Sequence, residues 1–267
     1  MRHWTSSMIV AIAALGLGAA GCNTTEDPEY APGFADQSGQ GVLAAPAYPD
    51  GPYGIEIGEV LPNMAWTGYV NSLTELGLGY HTVQLSDFYN PTGAAVYGEG
   101  ELLPAGTPRP LALWITGPAM WCGPCQAEAK YILPPAHDYY FPLGGQILST
   151  LLDNGKGDGP ATLTNLDYWA KTYKANYPLV NDPDYLLGPA FAEQAFPANF
   201  LVDPRTMQIK VAIAGAPPPQ PCCPQYGCSN AALPSVCGQF GITQCVMASE
   251  CSFFDDYEAI MDGTFTP

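Results

Sequence analysis

Two cysteines three residues apart, Cys122 and Cys125, are the side chains of this sequence best suited to chemistry. They belong to the run WCGPC at 121–125, which directly follows the apolar, strand-like segment Leu111–Thr116. If a helix begins at Cys122, its sulfur lies over free backbone N–H groups and the positive end of the helix dipole, and both favour the thiolate. Because the thiolate is the attacking species in disulfide exchange, and Cys125 can close an intramolecular disulfide, the spacing predicts redox chemistry.

The neighbouring residues fit the same interpretation. Gly123 and Pro124 suit a first helical turn, where proline sacrifices no hydrogen bond, and we expect Trp121 to cover one side of the pair. A CxxC can also be half of a zinc site or a structural disulfide. Zinc would require a second Cys or His pair at ligand spacing, and none follows within the next 90 residues. A strand followed by CxxC favours the redox motif, so we predict no metal and no cofactor.

The N-terminus indicates where this chemistry takes place. Arg2 and His3 precede an apolar run, Met8–Ala20, that is too short to span a bilayer and is typical of a signal-peptide core, so residues 1–21 are predicted to be a signal. Its end, LGAAGC at 17–22, resembles a bacterial lipobox, with Ala19 where leucine is preferred. We expect Cys22 to be the lipidated first residue of the mature chain; ordinary cleavage nearby is the alternative. Residues 22–50 are predicted to be a flexible tether.

Length and charge limit the number of domains and the kinds of partner that the rest of the chain can have. The 267 residues, less the leader and tether, fit one domain with a substantial core. Only 8 basic residues face 25 acidic ones, a formal charge of −17. This balance excludes a basic groove for nucleic acid.

The pattern of apolar residues predicts an α/β domain over 51–216. We predict strands at His81–Asp87, Leu111–Thr116 and Gln146–Leu152, a helix from Cys122 through Leu133 stopped by Pro134 and Pro135, a helix at Thr164–Tyr173 that starts with a capping candidate, a hairpin over 199–213 and a last helix at Phe253–Met261. This order resembles a thioredoxin-like fold, with a central mixed sheet flanked by helices.

The chain also resembles a particular branch of that fold, the membrane-anchored, extracytoplasmic proteins typified by TlpA and ResA. WCGPC is the active-site pentapeptide of thioredoxins. The segments Ile57–Pro62 and Val83–Asp87 are similar to the N-terminal "G-x-x-x-P … L-x-D" pattern of the branch, and Ala195–Asp203 is similar to its "x-P-x-x-F-L-I-D" segment. The resemblance covers roughly residues 53–214.

The resemblance implies roles for four further residues. Pro197 would follow a cis peptide bond and lie against the CxxC, exposing the Phe196 backbone to a substrate strand. Glu128, three residues after the second cysteine, would accept the proton of Cys125 if burial raises its pKa; a solvated surface acid is the alternative. Thr116 stands where cytoplasmic thioredoxins place a buried Asp, which moves any proton role toward Glu128 or water.

Two related activities lack their residues here. A copper chaperone of the SCO type would require CxxxC and a distal histidine. The motif here is CxxC, and His81 and His137 are the only histidines after the leader, so this activity is not predicted. A peroxiredoxin would need Thr-x-x-Cys before its helix, and 117–122 reads GPAMWC.

A second group of cysteines follows the proline run at 217–219. Six cysteines fall within thirty residues: Cys222, Cys223, Cys228, Cys237, Cys245 and Cys251. Their even number in an exported chain predicts a disulfide-stapled insertion over 217–252, with 15 possible connectivities and different partners for the adjacent pair. Residues 253–267 would return to the domain as its C-terminal helix. A sharper alternative is that one of the bridges is labile and exchanges electrons with Cys122 and Cys125.

The resemblance implies a lipid-anchored thiol–disulfide oxidoreductase of the bacterial cell envelope, facing the periplasm or the cell surface. It would reduce selected protein disulfides, need no cofactor, and be reduced again by a membrane or periplasmic redox partner. The alternatives are a disulfide oxidase or isomerase, a peroxiredoxin-like antioxidant, and a non-catalytic surface lipoprotein that uses the fold as a binding module.

Overall fold

A computed structural model describes residues 47–188 and 196–267 of the chain. Within them, one mixed sheet contains seven strands in the order β2-β1-β5-β4-β3-β6-β7. The strands are β1 Ala65–Tyr69, β2 His81–Gln84, β3 Ala112–Gly117, β4 Gly145–Leu151, β5 Leu179–Asn181, β6 Ala198–Asp203 and β7 Gln208–Ala214.

Helices connect these strands and follow them. The α-helices of the described residues are α1 Ser72–Glu75, α2 Gly123–Tyr131, α3 Leu133–Tyr140, α4 Leu163–Tyr173, α5 Ser235–Gln239 and α6 Ser252–Asp262. Short 3-10 turns lie at Leu85–Phe88, Phe141–Leu143, Gln220–Cys222, Pro224–Tyr226 and Ala248–Cys251.

The connectivity is that of a thioredoxin-like fold, as predicted. β3 and β4 are parallel and are joined through α2 and α3, β6 runs antiparallel to β3, and β6 and β7 form the predicted hairpin. α6 follows and packs on β3 and β6. β5 extends the sheet parallel to β4, and β1 and β2 complete that edge antiparallel.

Alternate residues of the central strands supply two hydrophobic clusters, as a sheet buried on both faces requires. Trp114 and Ile147 join a cluster with residues of α2, α3, α4 and α6. Leu113, Ile115 and Phe200 join a second cluster with residues of the segment 60–88. The predicted flanking helices therefore occupy one cluster, and the N-terminal strands and turns cover the other.

Three predicted boundaries were wrong. Pro134 and Pro135 do not stop the active-site helix; it ends before them, and they lie in the first turn of α3, where a missing N–H breaks no helical bond. The cap of α4 is Thr162 rather than Thr164, because the Thr162 hydroxyl accepts from the Asn165 N–H at 3.3 Å. The strand predicted at 81–87 ends at Gln84, where Asp87 closes a 3-10 turn.

The six C-terminal cysteines form three disulfides, Cys222–Cys237, Cys223–Cys251 and Cys228–Cys245. The adjacent cysteines take different partners, as expected. The segment is not independent of the domain core, because Cys223 and Cys251 belong to the cluster that contains Trp114. The Cys223–Cys251 bridge joins the segment to the start of α6, so the bridges fasten it to the fold as well as closing its own loops.

The predicted signal over 1–21, Cys22 and nearly all of the predicted tether lie outside the described residues. None of the helices within 47–188 and 196–267 combines the length and the apolar character needed to cross a membrane.

Candidate active site

The Cys122–Cys125 pair lies where the sequence places it, at the junction of β3 and α2, and forms a disulfide in this structure. Cys122 is the N-cap of α2, and its Sγ accepts a hydrogen bond from the Cys125 N–H at 3.1 Å. Pro124 occupies the first helical turn. In the reduced protein this amide and the helix dipole would act on the Cys122 sulfur, and both stabilise a thiolate.

The two sulfurs are set deep in the surface. Cys122 is 4% exposed and Cys125 is fully buried, so Cys122 is the more accessible of the two. This asymmetry is the one that disulfide exchange needs, because the outer cysteine attacks and the inner one resolves.

Trp121, which directly precedes Cys122, forms an aromatic wall with Phe196 and is held by a residue that sequence reasoning missed. Its Nε1–H donates to Asp153 at 3.0 Å, and the other Asp153 oxygen accepts from the Tyr185 hydroxyl at 2.7 Å. Gly157 permits this packing, because a Cβ there would lie 3.1 Å from the indole. The indole remains 47% exposed and thus available to a substrate.

Pro197 is brought to the same place. The Phe196–Pro197 peptide bond is cis, the form that the resemblance implied. The Phe196 ring meets Trp121 edge-on, with 5.5 Å between the centroids. The Pro197 carbonyl accepts from the Gly215 N–H at 2.7 Å. Within the described residues, the Phe196 main chain makes no hydrogen bond; its pairing with a substrate strand stays a prediction.

Glu128 is a buried acid and not the surface acid that was the alternative. It is fully buried on α2, one turn after Cys125. Burial raises its pKa to about 7, although hydrogen bonds from Thr116 and Asn199 lower it. A carboxyl with this pKa exchanges its proton near neutral pH, which suits general acid–base work.

Thr116 and Asn199 hold the carboxyl of Glu128. The Thr116 hydroxyl donates at 2.8 Å and the Asn199 amide at 2.9 Å. Thr116 was singled out in the sequence because it replaces an acid. Asn199 was not, although it lies two residues after Pro197 on a strand antiparallel to β3 and is paired with Thr116; that register is the signal that could have found it.

The arrangement combines a helix-capping sulfur, a buried resolving sulfur, a buried acid and an aromatic entrance. No group of three or more His, Cys, Asp or Glu side chains suited to a metal ion occurs in the described parts of the chain. The bridges of the C-terminal segment are separate from the pair, and none is shared with Cys122 or Cys125.

No family model and no curated protein matches the chain. Solved structures resemble it at low identity. A thiol:disulfide interchange protein DsbE of Chlorobium tepidum is 20% identical, over 62% of this chain and 89% of that one, with a TM-score of 0.43. The thioredoxin domain of a Bacteroides vulgatus thiol-disulfide oxidoreductase is 17% identical, over 60% and 87%, with a TM-score of 0.39.

A hypothetical protein of Sinorhizobium meliloti is 12% identical, over 80% of this chain and 89% of that one, with a TM-score of 0.49. Likenesses of this size assign no function. The thioredoxin-like fold follows from the strand order and connectivity of the chain itself.

Proposed function

We propose that the protein is a thiol–disulfide oxidoreductase that acts on disulfides of other proteins through Cys122 and Cys125. The observation that carries the proposal is the position of Cys122 at the start of α2, with its Sγ 3.1 Å from the Cys125 amide and the buried acid Glu128 one turn below. A structural disulfide needs neither feature.

The reaction begins with the reduced pair. The Cys122 thiolate attacks one sulfur of the substrate disulfide; a mixed disulfide forms, and the other substrate sulfur leaves as a thiolate and takes a proton from water. Cys125 then loses its proton to Glu128 and attacks the Cys122 sulfur, which releases the second substrate thiolate. Two electrons pass from the cysteine pair to the substrate, and the protein is left as the disulfide.

The same chemistry runs in reverse, so direction depends on the reduction potential of the pair. A potential near about −270 mV would make the protein a reductant and one near about −120 mV an oxidant. We place the protein among reductants of selected disulfides, on the resemblance of its segments to the TlpA and ResA branch. Equilibration of the pair with glutathione buffers of known potential measures this value.

The proposed location is the cell envelope, with a lipid anchor on Cys22 and re-reduction by a membrane or periplasmic redox partner. Two observations support it: the lipobox-like sequence at 17–22, and the pairing of all eight described cysteines as disulfides, which is typical of oxidising compartments. Mass spectrometry of the mature N-terminus tests the anchor. We expect a diacylglyceryl group on Cys22, and an unmodified N-terminus beyond residue 22 would contradict it.

Insulin reduction with dithiothreitol as the terminal reductant tests the activity. The wild-type protein should accelerate precipitation of the insulin chains, and Cys122→Ser should not. Equal rates for the two proteins would overturn the catalytic proposal and favour a binding module with an inert bridge. Cys228→Ser/Cys245→Ser is the matched control, because it removes a bridge of the other kind.

A further inference from the structure

The buried carboxyl of Glu128 is bonded on both oxygens by neutral groups. Its Oε2 accepts from the Thr116 hydroxyl at 2.8 Å and its Oε1 from the Asn199 amide at 2.9 Å. No lysine, arginine or histidine of the described residues forms an ion pair with it. Its proton affinity is therefore set by burial and by these two bonds, since no cation compensates its charge.

The orientation of the Asn199 amide is fixed by a third residue. The Trp114 indole can only donate a hydrogen bond, and its Nε1 lies 2.6 Å from Asn199 Oδ1. The amide nitrogen must therefore face away from Trp114, toward Glu128. Trp114 is itself fully buried, with Phe253 of α6 packed edge-on against it at 4.9 Å. The amide cannot rotate without leaving the indole N–H unpaired in the core.

This geometry decides which oxygen of Glu128 carries the proton. Oε1 accepts a hydrogen bond from the Asn199 N–H, and an N–H cannot in turn accept a hydrogen bond from a carboxylic O–H at that oxygen. Oε2 faces the Thr116 hydroxyl, which can turn from donor to acceptor. A protonated Glu128 therefore bears its hydrogen on Oε2, and in the ionised form Thr116 donates to Oε2 and Asn199 to Oε1.

The second hydrogen of the same amide connects the acid to the substrate side of the site. Asn199 Nδ2 donates to the Gly215 carbonyl at 3.0 Å, and the Gly215 N–H donates to the Pro197 carbonyl at 2.7 Å. Gly215 has a φ of +86°, a conformation that favours glycine. One amide thus touches the buried acid and the residue that anchors Pro197.

We propose that Asn199 is a positioning residue of the active site, locked by Trp114, which keeps the proton of Glu128 on Oε2 and ties the acid through Gly215 to the Pro197 loop. The inference deepens the proposed function and rests on it, because Glu128 and Pro197 have work to do only if Cys122 and Cys125 exchange with a substrate.

Few other groups can compete for this proton. Among the titratable side chains of the described residues, Tyr177, which precedes β5, interacts with the charge of Glu128. Burial and the charge of Glu128 both raise the pKa of Tyr177 above its ordinary range, so this hydroxyl stays neutral. With the cysteines held as a disulfide, the Cys125 thiol cannot exchange a proton with Glu128 during the titration.

A carbon-13 NMR titration of the Glu128 carboxyl in the oxidised protein tests the proposal. Asn199→Ala removes an N–H donor from the ionised form, so the titration midpoint should rise by about one pH unit, and the Gly215 amide signal should shift. Thr116→Ser keeps the hydroxyl and should leave the midpoint unchanged, whereas Thr116→Val should raise it.

Trp114→Phe provides a second route if Asn199→Ala does not fold. It removes no group that touches Glu128 but frees the Asn199 amide to rotate away from the carboxyl, so the midpoint should rise; some stability should also be lost, because the smaller ring leaves a cavity beside α6. Unchanged midpoints in both variants, or in whichever of them folds, would overturn the proposal. Because the titration uses the oxidised protein, it does not depend on turnover: a shifted midpoint in a protein that fails to reduce insulin would sink the proposed function and leave the positioning of Glu128 intact.

Discussion

The chain holds two kinds of disulfide, and exposure does not tell them apart. Cys122 and Cys125 are both buried. Of the C-terminal cysteines, Cys228 and Cys245 are partly exposed and the other four are buried. The difference lies in the surroundings. Cys122 has a helix N-terminus and a backbone amide against its sulfur, and the pair has a buried acid one turn below.

Loop length separates the two kinds as well. The active pair is three residues apart, whereas the C-terminal bridges join residues 15, 17 and 28 apart. Closing loops of those lengths restricts the unfolded chain and so stabilises the fold. Under the proposed function, the comparison teaches that the electrostatic environment makes one bond reactive and that the length of the closed loop makes the others structural.

The strongest way to break this comparison is to remove one sulfur from each kind of bridge. Cys122→Ser should lower the rate of insulin reduction by at least about a hundredfold, because a serine hydroxyl at its ordinary pKa does not replace a thiolate. The double change Cys228→Ser/Cys245→Ser should leave the rate within about twofold of wild type. A large loss in the second protein would place the labile chemistry in the C-terminal segment.

Glu128→Gln should sharpen the distinction, because none of the acids in the described segment 217–267, which holds the other bridges, is buried. The neutral amide cannot accept the Cys125 proton, so the resolving step should slow by roughly 10²-fold at pH 7. Single-turnover kinetics with a fluorogenic disulfide peptide measures this step. An undiminished rate would show that water, and not Glu128, accepts the proton of Cys125.

The same variant has a signature in stability. Because the pKa of Glu128 is raised from 4.5 to about 7, the native state keeps a proton that the unfolded chain releases within this window. Its contribution therefore makes stability fall as the pH rises from 4.5 to about 7, by about 3 kcal/mol in all. Urea unfolding of Glu128→Gln should lack this dependence; identical pH profiles would contradict the burial of the charge.

The structural bridges can be compared with one another. Cys222–Cys237 and Cys228–Cys245 close loops of nearly equal length, so replacing either pair by alanine should cost about 3 kcal/mol of chain entropy. Cys222 and Cys237 are fully buried, so their replacement should cost more, through the cavity it leaves. Urea unfolding of the two double variants measures the difference, and equal losses would show that burial adds nothing.

The smallest effect concerns the entrance to the site. Asp153→Asn keeps one acceptor for Trp121 or for Tyr185 but not for both, so the aromatic wall loses one hydrogen bond. We expect the KM for a protein substrate to rise a few-fold, up to about tenfold, with kcat little changed. Asp158→Asn in the same loop removes the same charge without touching Trp121 and should behave as wild type.

Local patterns predicted much of this structure. The run at 121–125 located the site, the apolar segment at 111–116 located β3, and the turn at 203–205 located the β6–β7 hairpin. In the C-terminal segment, adjacency alone required Cys222 and Cys223 to take different partners. Each of these depends on neighbours in the sequence, or on a spacing that one element imposes.

What the sequence did not yield depends on contacts between distant residues. Asn199 meets Glu128 across 71 residues and Trp114 across 85, and no local pattern distinguishes it from an ordinary strand residue. Pro134 and Pro135 predict a helix stop because proline breaks helices, but the active-site helix ends before them and they lie in the first turn of α3. The pairing of the six cysteines likewise required the fold.

The central claim is that Cys122 is the sulfur that reacts with a substrate. The most direct measurement uses the reduced Cys125→Ser protein, which can form a mixed disulfide but cannot resolve it. This variant is mixed with an oxidised protein substrate, and the linked peptides are mapped by mass spectrometry. We predict a stable adduct joined through Cys122, absent when Cys122→Ser is added. An adduct through Cys228 or Cys245, or none at all, would contradict the account.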